Sequence, residues 1–313
     1  MRVRSRAVTV GMVMTLAIAL SACGWIGNLR AKQVLRNANT LYQAQSYEEA
    51  AATYEEVLRR DPNMTVVYFY LANSYDNLYR PSKPGASVNP EMLQKAIENY
   101  KTAVEREPDP KMKKLSLQYL AAAYGPDKLD DPEQAEPILR QMIELDPADT
   151  AAYFVYARIQ EDAGELDVAE ATLLKAKEAQ PKQSAVYQQL AGYHQRQGEF
   201  DKVIETVQLR AAIEPDNPEV YYSLASYYWD EAFRNSRLTE AQRRDYSERG
   251  LEAVGKALQL KPDYVEAVVY KGLLLRVQAA IEKDAKRQQD LLKQANALQE
   301  EAAALKKKQA AGL

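Results

Sequence analysis

Apolar residues recur along this chain at i, i+3, i+4 and i+7, in short bursts separated by polar stretches. Four such sets are Tyr68, Leu71, Ala72 and Tyr75; Leu117, Leu120, Ala121 and Tyr124; Tyr187, Leu190, Ala191 and His194; and Tyr221, Leu224, Ala225 and Tyr228. That spacing puts four side chains on one face of an α-helix. A second apolar helical stretch follows, as in Leu166, Ala169, Leu173 and Ala176 after Tyr153, Tyr156 and Ala157. Gly164 and Gly198 stand between paired stretches, where a tight turn is needed, and a proline that cannot continue a helix closes each pair. The pattern predicts helical hairpins.

The closing prolines are Pro62, Pro108, Pro147, Pro181, Pro215 and Pro262. Two of the intervals equal 34 residues, and the other three exceed it by 12, 5 and 13. A period near 34 marks a stacked array of helical hairpins, an architecture that presents a binding surface. The excess of 12 falls around Arg80-Pro81-Ser82-Lys83-Pro84-Gly85, which reads as a surface loop. The excess of 13 follows Tyr228 and is charged, with Thr239 and Gln242 in capping-box spacing, so it predicts a longer helical pair.

The units resemble the tetratricopeptide repeat (TPR). That family places an aromatic or large residue at position 4, a large and a small residue at 7 and 8, Tyr at 11, Gly near 15, Ala at 20 and 27, and Pro at 32. The stretch 150–183 follows it with Tyr153, Tyr156-Ala157, Gly164, Ala169, Ala176 and Pro181; 184–217 departs at position 27, where Arg210 replaces the small residue. The resemblance implies an all-α, right-handed TPR superhelical solenoid of about seven hairpins over 31–283. A polar-faced helix and tail over 284–313 would cap it, with Leu291, Leu292, Ala295, Leu298, Ala302 and Leu305 on one side.

The N-terminus has another character. Arg2, Arg4 and Arg6 precede an uncharged, mostly apolar run from Ala7 to Leu20, long enough for a secretory signal and short for a membrane span. Leu20-Ser21-Ala22-Cys23 resembles the lipobox of bacterial lipoprotein signals. The resemblance implies cleavage after residue 22, acylation of Cys23 (diacylglycerol, palmitate) and a short tether over 23–30. Gly24 is similar to the outer-membrane-sorted class, so the expected location is the cell envelope, lipid-anchored in the outer membrane and facing the periplasm.

Composition narrows the function. The chain carries 41 Lys+Arg against 44 Asp+Glu; without the leader's three Arg the balance is −6, which disfavours nucleic acid. Cys23 is the sole cysteine, so no intramolecular disulfide can form. His194 is the sole histidine, at a position the family fills with a core tyrosine, and reads as packing. There is no phosphate-binding glycine loop and no GxSxG. The expectation is no catalytic residue, no metal, no cofactor and no small-molecule substrate.

In TPR proteins the first helix of each hairpin lines the concave groove. Carried onto this chain, that implies partner-binding residues Asn39, Phe69, Tyr70, Asn73, Phe154, Arg158, Tyr222 and Trp229. Asn39 and Asn73 occupy successive position-9 sites, where an amide both donates to and accepts from a peptide backbone. The lysines of a carboxylate clamp are absent, since Leu35, Phe69 and Phe154 stand there. The expected function is a non-enzymatic scaffold or adaptor that binds a peptide segment or helix of an envelope partner. Two alternatives are a lipoprotein that recruits or regulates a cell-wall hydrolase, and a self-associating structural protein with the C-terminal helix as its seam.

Overall fold

The computed structural model describes residues 30–79 and 89–311. The leader over 1–22, Cys23 and the insert around 80–85 lie outside the described residues. Among the described residues there are fourteen helices and no strand. None of these helices is long and apolar enough to cross a membrane.

The helices follow one another as the periodicity predicts. They are α1 (30–43), α2 (Tyr47–Arg60), α3 (Val66–Leu78), α4 (Pro90–Arg106), α5 (Pro110–Ala123), α6 (Pro132–Leu145) and α7 (Thr150–Asp162). Then come α8 (Leu166–Ala179), α9 (Ser184–Arg196), α10 (Phe200–Ile213), α11 (Pro218–Arg234), α12 (Glu240–Leu260), α13 (Val265–Ile281) and α14 (Ala285–Ala310). The chain divides into two compact units, one ending at Ile159 and one starting at Gln160.

Local chemistry fixes the helix ends. Asp109, Asp131 and Asn217 each accept a backbone N–H at the start of α5, α6 and α11, and a proline takes the first helical position where no donor is missed. Thr239 and Gln242 form the expected capping box, and α11 and α12 are the long pair read from the charged insert. Gly164 and Gly198 turn the chain with φ of 79° and 73°. Gln45 and Asp130 also hold positive φ, at 59° and 50°, in the turns before α2 and α6.

A repeated hydrogen bond ties successive hairpins. The position-4 hydroxyls of Tyr153, Tyr187 and Tyr221 donate to the carbonyls of Pro147, Pro181 and Pro215 at 3.3, 2.7 and 3.0 Å. Each satisfies an acceptor left over near a helix end. Arg210, the departure at position 27, is buried but not orphaned. It donates to Ser184 Oγ at 2.7 Å and lies 3.5 and 3.6 Å from carboxylate oxygens of Glu214 and Glu219.

In the first unit, consecutive helices from α2 to α6 pack on one another and α3 also meets α5. Tyr54, Tyr100, Leu93, Leu117 and Leu139 are its largest fully buried side chains, each leucine contributing about 1.5–3 kcal/mol by burial. In the second unit, consecutive helices from α8 to α14 pack in turn and α11 also meets α13. Here α14 is the second helix of a seventh hairpin. Ala295 and Ala302 from its apolar stripe are buried, and α13 approaches closely at Gly272, where a Cβ would lie 3.4 Å from the Ala295 carbonyl and 3.5 Å from Leu298.

Candidate functional site

The helical register of α1, α3 and α5 brings a set of aromatic rings together in the first unit. Tyr42 lies 5.4 Å from Tyr70 and 6.4 Å from Tyr54 between ring centroids, while Tyr54 stacks on Tyr70 at 6.0 Å. Phe69 meets Tyr70 at 5.3 Å, Tyr100 at 5.9 Å and Tyr119 at 5.5 Å. Edge-to-face pairs dominate, the geometry that ring quadrupoles favour. Tyr119 on α5 is an exposed member of the set.

The ring hydroxyls and neighbouring amides hydrogen-bond in two groups. Tyr54 Oη donates to Asn39 Oδ1 at 2.9 Å. Tyr42 Oη and Asn77 Nδ2 donate to Asn73 Oδ1 at 2.6 and 2.9 Å. Asn73 Nδ2 donates to Tyr100 Oη at 3.2 Å, and that hydroxyl donates to Asp76 Oδ2 at 3.4 Å. Lys128 reaches Asp76 from the turn after α5. Burial, reinforced by neighbouring tyrosines, pushes the Tyr42 hydroxyl up to about 12. Burial raises Tyr54 and Tyr100 as well, and Asp76 is a second cause for Tyr100.

The residues expected from the sequence therefore fall into different roles. Asn39 and Tyr70 border solvent in the ring face, and the Asn39 side-chain oxygen is engaged by Tyr54. Phe69, only 5% exposed, forms the floor of the face. Asn73, 4% exposed, is turned inward: three of its four hydrogen-bonding capacities are used, two of them to join α3 to α1 and α4 and one within α3. Phe154 is half-buried and Arg158 exposed on α7, and neither joins the ring set. Tyr119 was not singled out from the sequence. Its place, two residues after Leu117 and one before Leu120, is a groove position of the third repeat and was the signal that could have found it.

The second unit holds its own aromatic cluster. Tyr222 lies 5.3 Å from both Tyr264 and Tyr270, and Trp229 lies 5.4 Å from Tyr270 and stacks on Phe233 at 5.1 Å. Burial, then Tyr270 and Tyr264, push the Tyr222 hydroxyl up to about 12.

Glu170, His194 and Glu199 also converge, with ligand-type atoms within 4.8 Å of one another. His194 is buried as its repeat position implies, but both ring nitrogens face carboxylates, Nδ1 at 2.8 Å from Glu199 and Nε2 at 4.0 Å from Glu170. The ammonium of Lys202 joins the two acids, at 2.9 Å from Glu170 and 3.1 Å from Glu199. Hydrogen bonds from His194 first, then Lys202, hold the Glu199 carboxyl below its usual range. The Lys202 ammonium already bridges the two carboxylates, and His194 adds a ring-nitrogen contact to Glu199, so the cluster is a polar network joining α8, α9 and α10.

Models of the tetratricopeptide repeat family match residues 35–78 and 128–192. No curated protein matches the sequence. Among solved structures, the C-terminal part of a TPR repeat-containing protein from Cytophaga hutchinsonii is 15% identical with a TM-score of 0.57, over 84% of this chain and 95% of that one. A tetratricopeptide repeat protein from Parabacteroides merdae is 14% identical with a TM-score of 0.47, over 85% and 98%. YrrB, described as a TPR protein with an unusual peptide-binding site, is 20% identical with a TM-score of 0.36, over 75% and 88%. The chain carries tetratricopeptide repeats in an all-α fold of that type. Such repeats are, as a class, protein-binding scaffolds.

Proposed function

We propose that this chain is a non-enzymatic scaffold of the bacterial envelope, anchored by lipid at Cys23, that binds a peptide segment or helix of a partner protein. The observation that carries the reading is the ring face of α1, α3 and α5. Tyr70 and Tyr119 border solvent above a floor that Phe69 and Asn73 hold rigid, and Asn39 offers amide donors beside them. Rigid aromatic surface with a few fixed polar groups suits anchors of a protein partner, because little side-chain entropy is lost on binding. The lipobox-like Leu20-Ser21-Ala22-Cys23 supports the anchor, and Gly24 after it supports the outer-membrane location.

Two experiments test this. Cell fractionation of Cys23→Ala should move the protein from the membrane fraction to the soluble one with its helix content unchanged; retention in membranes after alkaline wash would end the anchor reading. In-cell crosslinking of the tagged chain should enrich one envelope partner, and Tyr70→Ser with Tyr119→Ser should lose it. Recovery of the same proteins with the variant would end the ring-face reading.

A further inference from the structure

In the second unit α13 lies against α11 and α12, with Ala267 and Leu274 in one cluster with Ala225, Ala253, Val254 and Ala257. Small residues on the receiving helices let a third helix come close. One step further along, α13 and α14 enclose a groove of about 690 Å³ built in the same way. Gly272, Ala295 and Ala302 form its floor, Val269 and Leu273 its apolar wall, and Lys306 stands at one end. No described helix occupies it. Tyr270 lines it and also touches Trp229 and Tyr222. The groove thus runs into an apolar surface on which Phe233 is 61% and Val269 40% exposed.

Charge distinguishes this end of the unit. Residues 160–264 hold 13 Lys or Arg against 19 Asp or Glu, whereas 265–310 hold nine against six. Lys306, Lys307 and Lys308 are exposed in the last two turns of α14, and none forms an ion pair among the described residues. The groove's other charged lining residues are Arg276, which donates to Asn296 and Gln299, and the exposed Glu266, a single acid against the three lysines.

We propose that the groove between α13 and α14 docks one amphipathic α-helix of a partner protein, with small and aliphatic residues on its buried face and Asp or Glu at the end that meets Lys306. The shape argument is the one α13 itself demonstrates on α11 and α12. The charge argument is complementarity: a desolvated apolar strip gives affinity, and unpaired lysines at its end fix direction and repel basic helices.

The test uses the full chain in detergent and two labelled synthetic helices, each with Ala and Leu at i, i+3, i+4 and i+7. One carries Glu at its solvent-facing positions and the other Lys. Fluorescence anisotropy should show the Glu helix binding about tenfold or more tightly than the Lys helix, with the difference shrinking at high salt. Ala303→Trp, which fills the groove from an exposed position, and Leu273→Glu should each abolish binding. Lys306→Glu with Lys307→Glu and Lys308→Glu should weaken it about tenfold. Circular dichroism of each variant checks that the fold is intact. Equal binding of both helices, or wild-type binding by the Ala303→Trp chain, overturns the proposal. So does a concentration-dependent dimer that Ala303→Trp abolishes, since that would assign the groove to a second copy.

Discussion

The hydroxyl of Tyr42 donates to Oδ1 of Asn73 at 2.6 Å, across 31 residues of sequence, and so joins the first hairpin to the second. Asn73 passes the connection on to Tyr100. Asn73→Ala leaves two largely buried tyrosine hydroxyls without this partner and should destabilise the chain by about 1–3 kcal/mol. Tyr42→Phe removes one bond and should cost about 0.5–1.5 kcal/mol. Urea denaturation of both single variants and the double variant gives the coupling. Additive effects within about 0.5 kcal/mol would show that the pair does not act together.

The turn residues Gln45 and Gly198 make opposite predictions. Both hold positive φ, at 59° and 73°, but only one lacks a Cβ. Gln45→Gly should stabilise by about 1 kcal/mol, and Gly198→Ala should destabilise by a similar amount. Thermal melts decide it; a loss of stability in Gln45→Gly would mean that the glutamine side chain matters more than its backbone strain.

Close packing predicts two further losses. A Cβ on Gly250 would lie 2.7 Å from Leu274 Cδ2 and 3.2 Å from Tyr228 Cβ, and Leu274 is fully buried. Ala191 packs in a buried cluster with Val203, Val207 and Val220. Gly250→Ala and Ala191→Leu should each cost about 1–3 kcal/mol by overpacking. An unchanged melting midpoint in either would show room that the packing does not reveal.

Stability should fall at alkaline pH. Tyr42 and Tyr222 ionise near 12 when folded, against 10.0 for a free tyrosine. The folded state therefore holds protons that the unfolded chain releases, and stability is full below pH 10 and declines as pH rises toward 12. Urea midpoints between pH 8 and 11 on about a half-unit grid should show the decline, smaller in Tyr42→Phe. A flat profile would contradict the burial of these hydroxyls.

Much of this architecture was legible because burial repeats with the helix period. Position-4 tyrosines, closing prolines and turn glycines recur at fixed spacing, and the Thr239–Gln242 cap is local. Pairing across hairpins was not legible. Periodicity tells which face of α3 is inward, but Asn73 turns toward Tyr42 and Tyr100 only because those hydroxyls arrive from α1 and α4. His194 likewise read as packing, and its carboxylate neighbours come from α8 and the start of α10. Arg210 looked like a misfit until Ser184, Glu214 and Glu219 surrounded it. The stretch 284–313 read as a polar-faced cap, and Ala295 and Ala302 from its apolar stripe lie buried where α14 pairs with α13.

The most direct test of the account is site-specific photocrosslinking in cells, with a photoreactive side chain placed at Tyr119 on the ring face or at Glu98, exposed on α4. The account predicts that position 119 captures one partner protein, that Tyr70→Ser abolishes this product, and that position 98 captures none of it. The same product from both positions, or none from position 119, would contradict the ring face as the binding surface.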